Sequence, residues 1–104
     1  MQTELIIVSD YCQKSRIEPS FIWMLEEGGL IDIRMIEGEH YLELSQLGRL
    51  EQYSRLYYDL SINIEGIDVI RNMLDRMEAM QEEIDYLYSR LRVYESDERS
   101  VTDM

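Results

Sequence analysis

The stretch NIEGIDVIRNMLDRMEAMQEEIDYLYSRLRVYE, residues 63–95, decides how this chain is built. From Ile70 onward its apolar residues recur at alternating steps of three and four: Ile70, Met73, Met77, Met80, Ile84, Leu87, Leu91 and Tyr94. This is a heptad series with Ile, Met, Ile and Leu at a, and Met, Met, Leu and Tyr at d. A helix over residues 64–95 is about 48 Å long at ~1.5 Å per residue, longer than a small domain is wide. A seam of that length predicts a coiled-coil dimer interface with a second copy. The competing reading is a single long helix folded over its own domain. Asn63 reads as the N-cap, and Glu65 places a carboxylate in the first turn, where the helix dipole favours it.

Outside this helix the 104 residues leave room for one small domain. Hydrophobic residues make up 45% of the chain, enough for a modest core. There is no apolar run of membrane-spanning length and no basic-then-apolar N-terminus, so neither a membrane span nor a secretory signal is expected. The single cysteine, Cys12, cannot form an internal disulfide. A cytoplasmic protein is the natural reading.

Charge is the most informative total. Twenty-two acidic residues against ten basic ones give a net −12, and Lys14 is the one lysine. Residues 1–45 hold nine acids and three bases, a local −6. Binding to DNA draws on cations meeting phosphates, so this balance opposes nucleic acid and favours a basic partner.

Residues 4–8 (ELIIV) predict a short strand, and Ser9 a cap for a helix carrying Tyr11, Cys12 and Ile17 inward. Glu18-Pro19-Ser20 starts a second helix with Pro19 in the first turn, and Gly28-Gly29 stops it. Between them Phe21 to Leu25 are all apolar, more than one face of a short helix buries. Either the long helix covers the other side, or Trp23 and Met24 meet a partner. Residues 31–35 alternate, Glu37-Gly38-Glu39 turns, and Tyr41–Leu44 returns as a hairpin with acids on its tip and outer face. Ser45 then caps a third helix with Leu47, Leu50, Tyr53, Leu56, Tyr57 and Leu60 inward, and a break over 61–63 leads into the long helix. The expected organisation is a head over 1–62, a dimerisation helix over 63–95, and a disordered acidic tail over 96–104.

At this point a resemblance enters. The segment Ile17 to Leu30, with its cap, Pro19, helix turn, Glu and Gly-Leu, resembles the second-helix signature of MerR-type regulators. The resemblance covers most of residues 4–95 and implies a mainly α fold. It would be a MerR-like winged helix-turn-helix with a small β-hairpin wing and a long C-terminal coiled-coil helix. The departures carry function. Where that family places Arg and two Tyr on the recognition helix, this chain has Trp23, Met24 and Leu25. Where its wing reads Gly-Tyr-Arg-x-Tyr, this chain has Glu39-His40-Tyr41-Leu42-Glu43. Cations that would meet phosphates are gone and carboxylates stand nearby. The chain is then most similar to the chaperone-modulator (CbpM-like) branch. That resemblance implies binding to, and inhibition of, the J domain of a DnaJ-like co-chaperone, masking it from a DnaK-type chaperone. The alternative is a DNA-binding MerR-like transcriptional regulator.

For a basic partner the candidate contacts are Glu18, Glu26, Glu27, Asp32, Glu37, Glu39 and Glu43, with Trp23 as the apolar anchor. Each of these acids also reads as an ordinary solvated residue, and Trp23 as a core residue. His40 is the one histidine, so no His-based metal set or catalytic triad can be assembled, and it reads as a solvated wing residue. Neither a catalytic role nor a cofactor or metal is expected.

Overall fold

The computed structural model describes residues 4–102, with side chains over residues 4–95. The chain forms two compact units, the first ending at Arg71 and the second beginning at Asn72. In order, the elements are β1 (Leu5–Ile7), α1 (Val8–Ser15), α2 (Pro19–Glu27), β2 (Arg34–Ile36), β3 (Glu39–Glu43), α3 (Leu47–Ser54) and α4 (Ile64–Thr102). This is the expected winged helix-turn-helix order followed by a long helix.

Helix α1 begins at Val8, with Ile7 at its N-cap and no side-chain cap bond, so Ser9 is not the cap expected. Val8 is buried in the core, and that burial sets the start of the helix instead. Arg16 takes a left-handed conformation, and the Ile17 N–H donates to the Cys12 carbonyl, closing α1. Pro19 sits at the start of α2 as expected. At the far end the Leu30 N–H donates to Leu25 O and the Gly29 N–H to Glu26 O, both at 2.9 Å. Gly29 has φ +74°, which makes this a Schellman stop with Leu25 and Leu30 as its buried apolar pair.

The expected hairpin wing, β2 with β3, is joined by β1 into a three-stranded sheet. β3 is central, and β1 and β2 pair antiparallel on either side of it. β1 joins through Leu5↔Glu43, Ile6↔Leu42 and Ile7↔Tyr41. β2 starts at Arg34 because the backbone of Asp32 is already committed. Its N–H donates to Gln46 Oε1 (2.7 Å) and its carbonyl accepts from Gln46 Nε2 (2.9 Å). With both groups held by one side-chain amide, Asp32 makes no ladder bond and the pairing starts beyond it, at Arg34. The turn is Glu37-Gly38, both at positive φ (50° and 81°), the type I′ geometry that matches strand twist.

Leu44–Gln46 forms a single 3₁₀ turn, so Ser45 is not a helix cap either. After α3 the chain continues as a π turn over Arg55–Asp59. Bonds of the i→i+5 type shift the inward face by about one residue. Leu60, expected inward, is consequently 63% exposed. Tyr57 and Tyr58 both contact Phe21, with ring centroids 4.7 and 5.2 Å away.

The core gathers Val8, Phe21, Ile22, Leu25, Leu42, Leu50, Tyr53 and Ile67, so the first turns of α4 belong to the head. Asn63 caps α4 as expected: the Gly66 N–H donates to Asn63 Oδ1 at 2.8 Å. The helix continues through Thr102, past the expected end at Glu95. Residues 96–102 are polar and aperiodic, which suggested disorder, yet no Pro or Gly interrupts them, and a helix propagates easily once nucleated. The remainder of the expected tail, residues 103–104, lies outside the described residues.

Asn63→Ala is expected to cost about 1 kcal/mol through loss of the cap, measured by urea unfolding. Gly66→Ala, which ordinarily stabilises a helix by roughly 0.5–1 kcal/mol, is expected to lower stability here. A Cβ at Gly66 would lie 2.7 Å from Ile62 Cγ2, and Ile62 is packed against the core.

Candidate docking surface

Helical geometry decides what α2 shows to solvent. Phe21, Ile22 and Leu25 are between 0 and 1% exposed. At ~3.6 residues per turn, burying those three turns Trp23, Glu26 and Glu27 outward. Trp23 is 38% exposed, and Met24 packs partly against the core. The five-residue apolar run therefore resolves into four residues that serve the core and one that does not.

Trp23 meets the wing. Its ring and that of His40 form a T-shaped pair, with centroids 4.9 Å apart at 68°. Strand alternation explains the contact: Leu42 is fully buried, so His40, two residues before it, faces the same side. Met35 is the cross-strand partner of His40 and is 66% exposed. Trp23, His40 and Met35 thus line one surface from helix to wing, two large apolar residues with an imidazole between them. His40, expected as a solvated wing residue, is instead partly buried against α2, and the period-two count back from Leu42 is the signal that places it there.

The predicted acids do not all share this surface. Glu26 and Glu27 flank Trp23 one turn along α2. Glu37 sits at the wing tip, in a left-handed conformation. Glu39 and Glu43 alternate with His40 and Leu42 and so occupy the opposite, outer face of the sheet. There Glu43 lies 3.5 Å from the Arg34 guanidinium, an exposed pair contributing about 1 kcal/mol or less. Glu18 stands before α2; its N–H donates to the Tyr58 hydroxyl at 3.4 Å, and its carboxylate accepts from Ser20. The Asp32 backbone is fixed by Gln46 while the residue remains exposed.

A separate open groove of about 590 Å³ runs between α1 and α3, bordered by Arg16, Glu51, Arg55, Tyr58 and Asp59. Its charges are mixed, and Arg55 is paired with Glu51 at 2.7 Å. Cys12 is buried, and that burial pushes its thiol pKa up, which keeps it protonated and unreactive at neutral pH. Among the described residues no group of three or more His, Cys, Asp and Glu could hold a metal ion.

On α4 the predicted seam residues are open. Met73, Met77, Met80, Ile84, Leu87, Leu91 and Tyr94 are each 45–60% exposed, and Ile70 is half-buried. Ile84, Leu87, Tyr88 and Leu91 line a shallow apolar groove of about 340 Å³. No described helix is long and apolar enough to cross a membrane.

A family model described as MerR HTH family regulatory protein matches residues 6–89. The chain belongs to the MerR helix-turn-helix family. The match spans the wing, α2, α3 and most of α4, and the family it names is regulatory rather than catalytic. No curated protein and no solved structure gives a significant match. Within the MerR frame, α2 occupies the second-helix position of the helix-turn-helix, and β2 and β3 form the wing.

Leu25→Ala is expected to cost about 2–5 kcal/mol of folding stability, as for a fully buried leucine, whereas Trp23→Ala should cost clearly less. Parallel urea titrations followed by circular dichroism make the comparison. Glu37→Asn should raise stability by several tenths of a kcal/mol, because Asn-Gly suits a type I′ turn better than Glu-Gly.

Proposed function

We propose that this MerR-family chain is a protein-docking modulator whose α2–wing surface engages the basic J domain of a DnaJ-like co-chaperone and keeps it from a DnaK-type chaperone. The observation that carries the reading is the exposed Trp23 on the outward face of α2, flanked by Glu26 and Glu27 where a DNA reader would need cations. An aromatic anchor with an acidic rim is the arrangement of a protein interface: the centre is desolvated and slows dissociation, while the rim steers encounter. The net charge of −12 supports the same choice, since its field attracts basic surfaces and repels phosphate backbones. Glu18, Asp32, Glu37, Glu39 and Glu43 contribute to that field at longer range. In this reading the protein acts in the cytoplasm.

The seam of α4 is the proposed homodimer interface. Its supporting observation is the exposure of large apolar residues along one heptad face from Met73 to Tyr94, and contiguous exposed apolar surface of this kind marks interaction sites. The head spans residues 1–62 and the dimerisation helix starts at Asn63, with the first turns of α4 also anchored in the head core.

A second reading, a DNA-binding regulator, draws on the family match alone. Anisotropy with duplex DNA at low salt separates the two, because phosphate contacts are strongest there. No binding is expected; tight, steeply salt-dependent binding would replace the modulator reading.

The direct test mixes the purified chain with the J domain of a DnaJ-like co-chaperone and follows association against salt. Association should fall as salt rises. Glu26→Lys combined with Glu27→Lys should slow it several-fold, at about 1 kcal/mol or less per exposed charge. A J domain that does not bind, and whose stimulation of chaperone ATP hydrolysis is unchanged, would refute the proposal. Ile84→Glu is expected to shift the chain to a monomer in sedimentation, since it would bury a charge in an apolar seam.

A further inference from the structure

We infer that the open face of Trp23 is a seat for one arginine side chain of the docking partner, with Glu26 and Glu27 closing on its guanidinium. The inference refines the docking reading above and rests on it only for which protein supplies the arginine.

Three observations meet at this point. The indole and the His40 ring meet in a T-shaped contact at 4.9 Å and 68°, and 38% of Trp23 remains open to solvent. Glu26 and Glu27 follow Trp23 at i+3 and i+4, the helical neighbours that share its face. Helical side chains lean toward the N-terminus, so both carboxylates lean toward the indole. Neither has an ion-pair partner among the described residues. The surface therefore offers an aromatic ring and two uncompensated carboxylates, with no cation of the chain paired to them among the described residues. Arg34, the one arginine of the wing, pairs with Glu43 on the opposite face of the sheet.

A π face beside carboxylates selects a cation, and the geometry selects which one. A guanidinium is planar, stacks on an indole and presents paired donors to a carboxylate at the same time; an ammonium is compact and more strongly hydrated. The occupant is a protein side chain rather than a small free cation, because the surface continues through His40 to Met35, which is 66% exposed. Apolar area beside the cation seat gives an aliphatic residue next to the arginine somewhere to pack. The partner class is thus a basic helical surface with an arginine beside an aliphatic side chain.

Trp23 is the one tryptophan, so its emission reports this site without interference. The experiment titrates the full chain with a short helical peptide carrying Arg beside Leu, and with its Lys and citrulline counterparts. The arginine peptide should change Trp23 emission and bind roughly fivefold or more tightly than the lysine peptide. The citrulline peptide, planar but uncharged, should bind most weakly. With a labelled peptide and anisotropy, Trp23→Leu and the pair Glu26→Gln, Glu27→Gln should each weaken arginine-peptide binding by roughly fivefold, and Trp23→Phe by less. Circular dichroism confirms that each variant folds. Equal affinity for the arginine and citrulline peptides, or unchanged affinity in Trp23→Leu, overturns the seat. A J domain that fails to bind while the peptides follow the expected order removes the proposed partner and leaves the seat standing. A J domain that binds without changing Trp23 emission overturns the seat and leaves that partner standing.

Discussion

Burial of one face of α2 is the constraint on which the surface of the head depends. Phe21, Ile22 and Leu25 fill the middle of the core, where they meet Leu42 of the wing, Leu50 and Tyr53 of α3, and Ile67 of α4. Their inward positions fix the rotation of the helix. Once that rotation is fixed, Trp23, Glu26 and Glu27 have no alternative to facing outward. The same core residue Leu42 sets the phase of β3, which brings His40 to the indole and sends Glu39 and Glu43 to the other side. One packing arrangement thus both holds the head together and decides which predicted contacts share a surface.

Much of this was legible in the residues. Pro19, Gly28-Gly29, the Glu37-Gly38 turn and the Asn63 cap are local signals, each carried by a few adjacent residues, and each lies where the sequence placed it. What the sequence did not reveal is non-local. The pairing of β1 with β3 joins residues 5–7 to 41–43, and no local pattern announces which edge a short strand will choose. Gln46 reaches back to Asp32 across the hairpin, and this shortens β2. The π turn after Ser54 displaces Leu60, because a period of 3.6 was carried through a segment that does not keep it.

The candidate site was legible by parts. Trp23 stood out as one apolar residue too many for its helix, and the acids by their number. Their separation into two faces required the phase of β3, which only the burial of Leu42 supplies. The family frame sharpens the contrast. A MerR-type second helix and wing here carry an exposed indole, a histidine and carboxylates where DNA recognition draws on cations. The chemistry of an exposed face can change while its scaffold is kept, because the core residues that position the face need not change.

Hydrogen exchange of the full chain, alone and with the J domain of a DnaJ-like co-chaperone, tests the central claim most directly, because backbone amides report where a partner sits without altering any side chain. Added protection is expected across α2 and the hairpin, residues 19–27 and 34–43, with the seam of α4 unchanged by the partner. Protection confined to α4, or to the groove between α1 and α3, would contradict the assignment of α2 and the wing as the docking surface. No added protection anywhere would contradict the proposed partner itself.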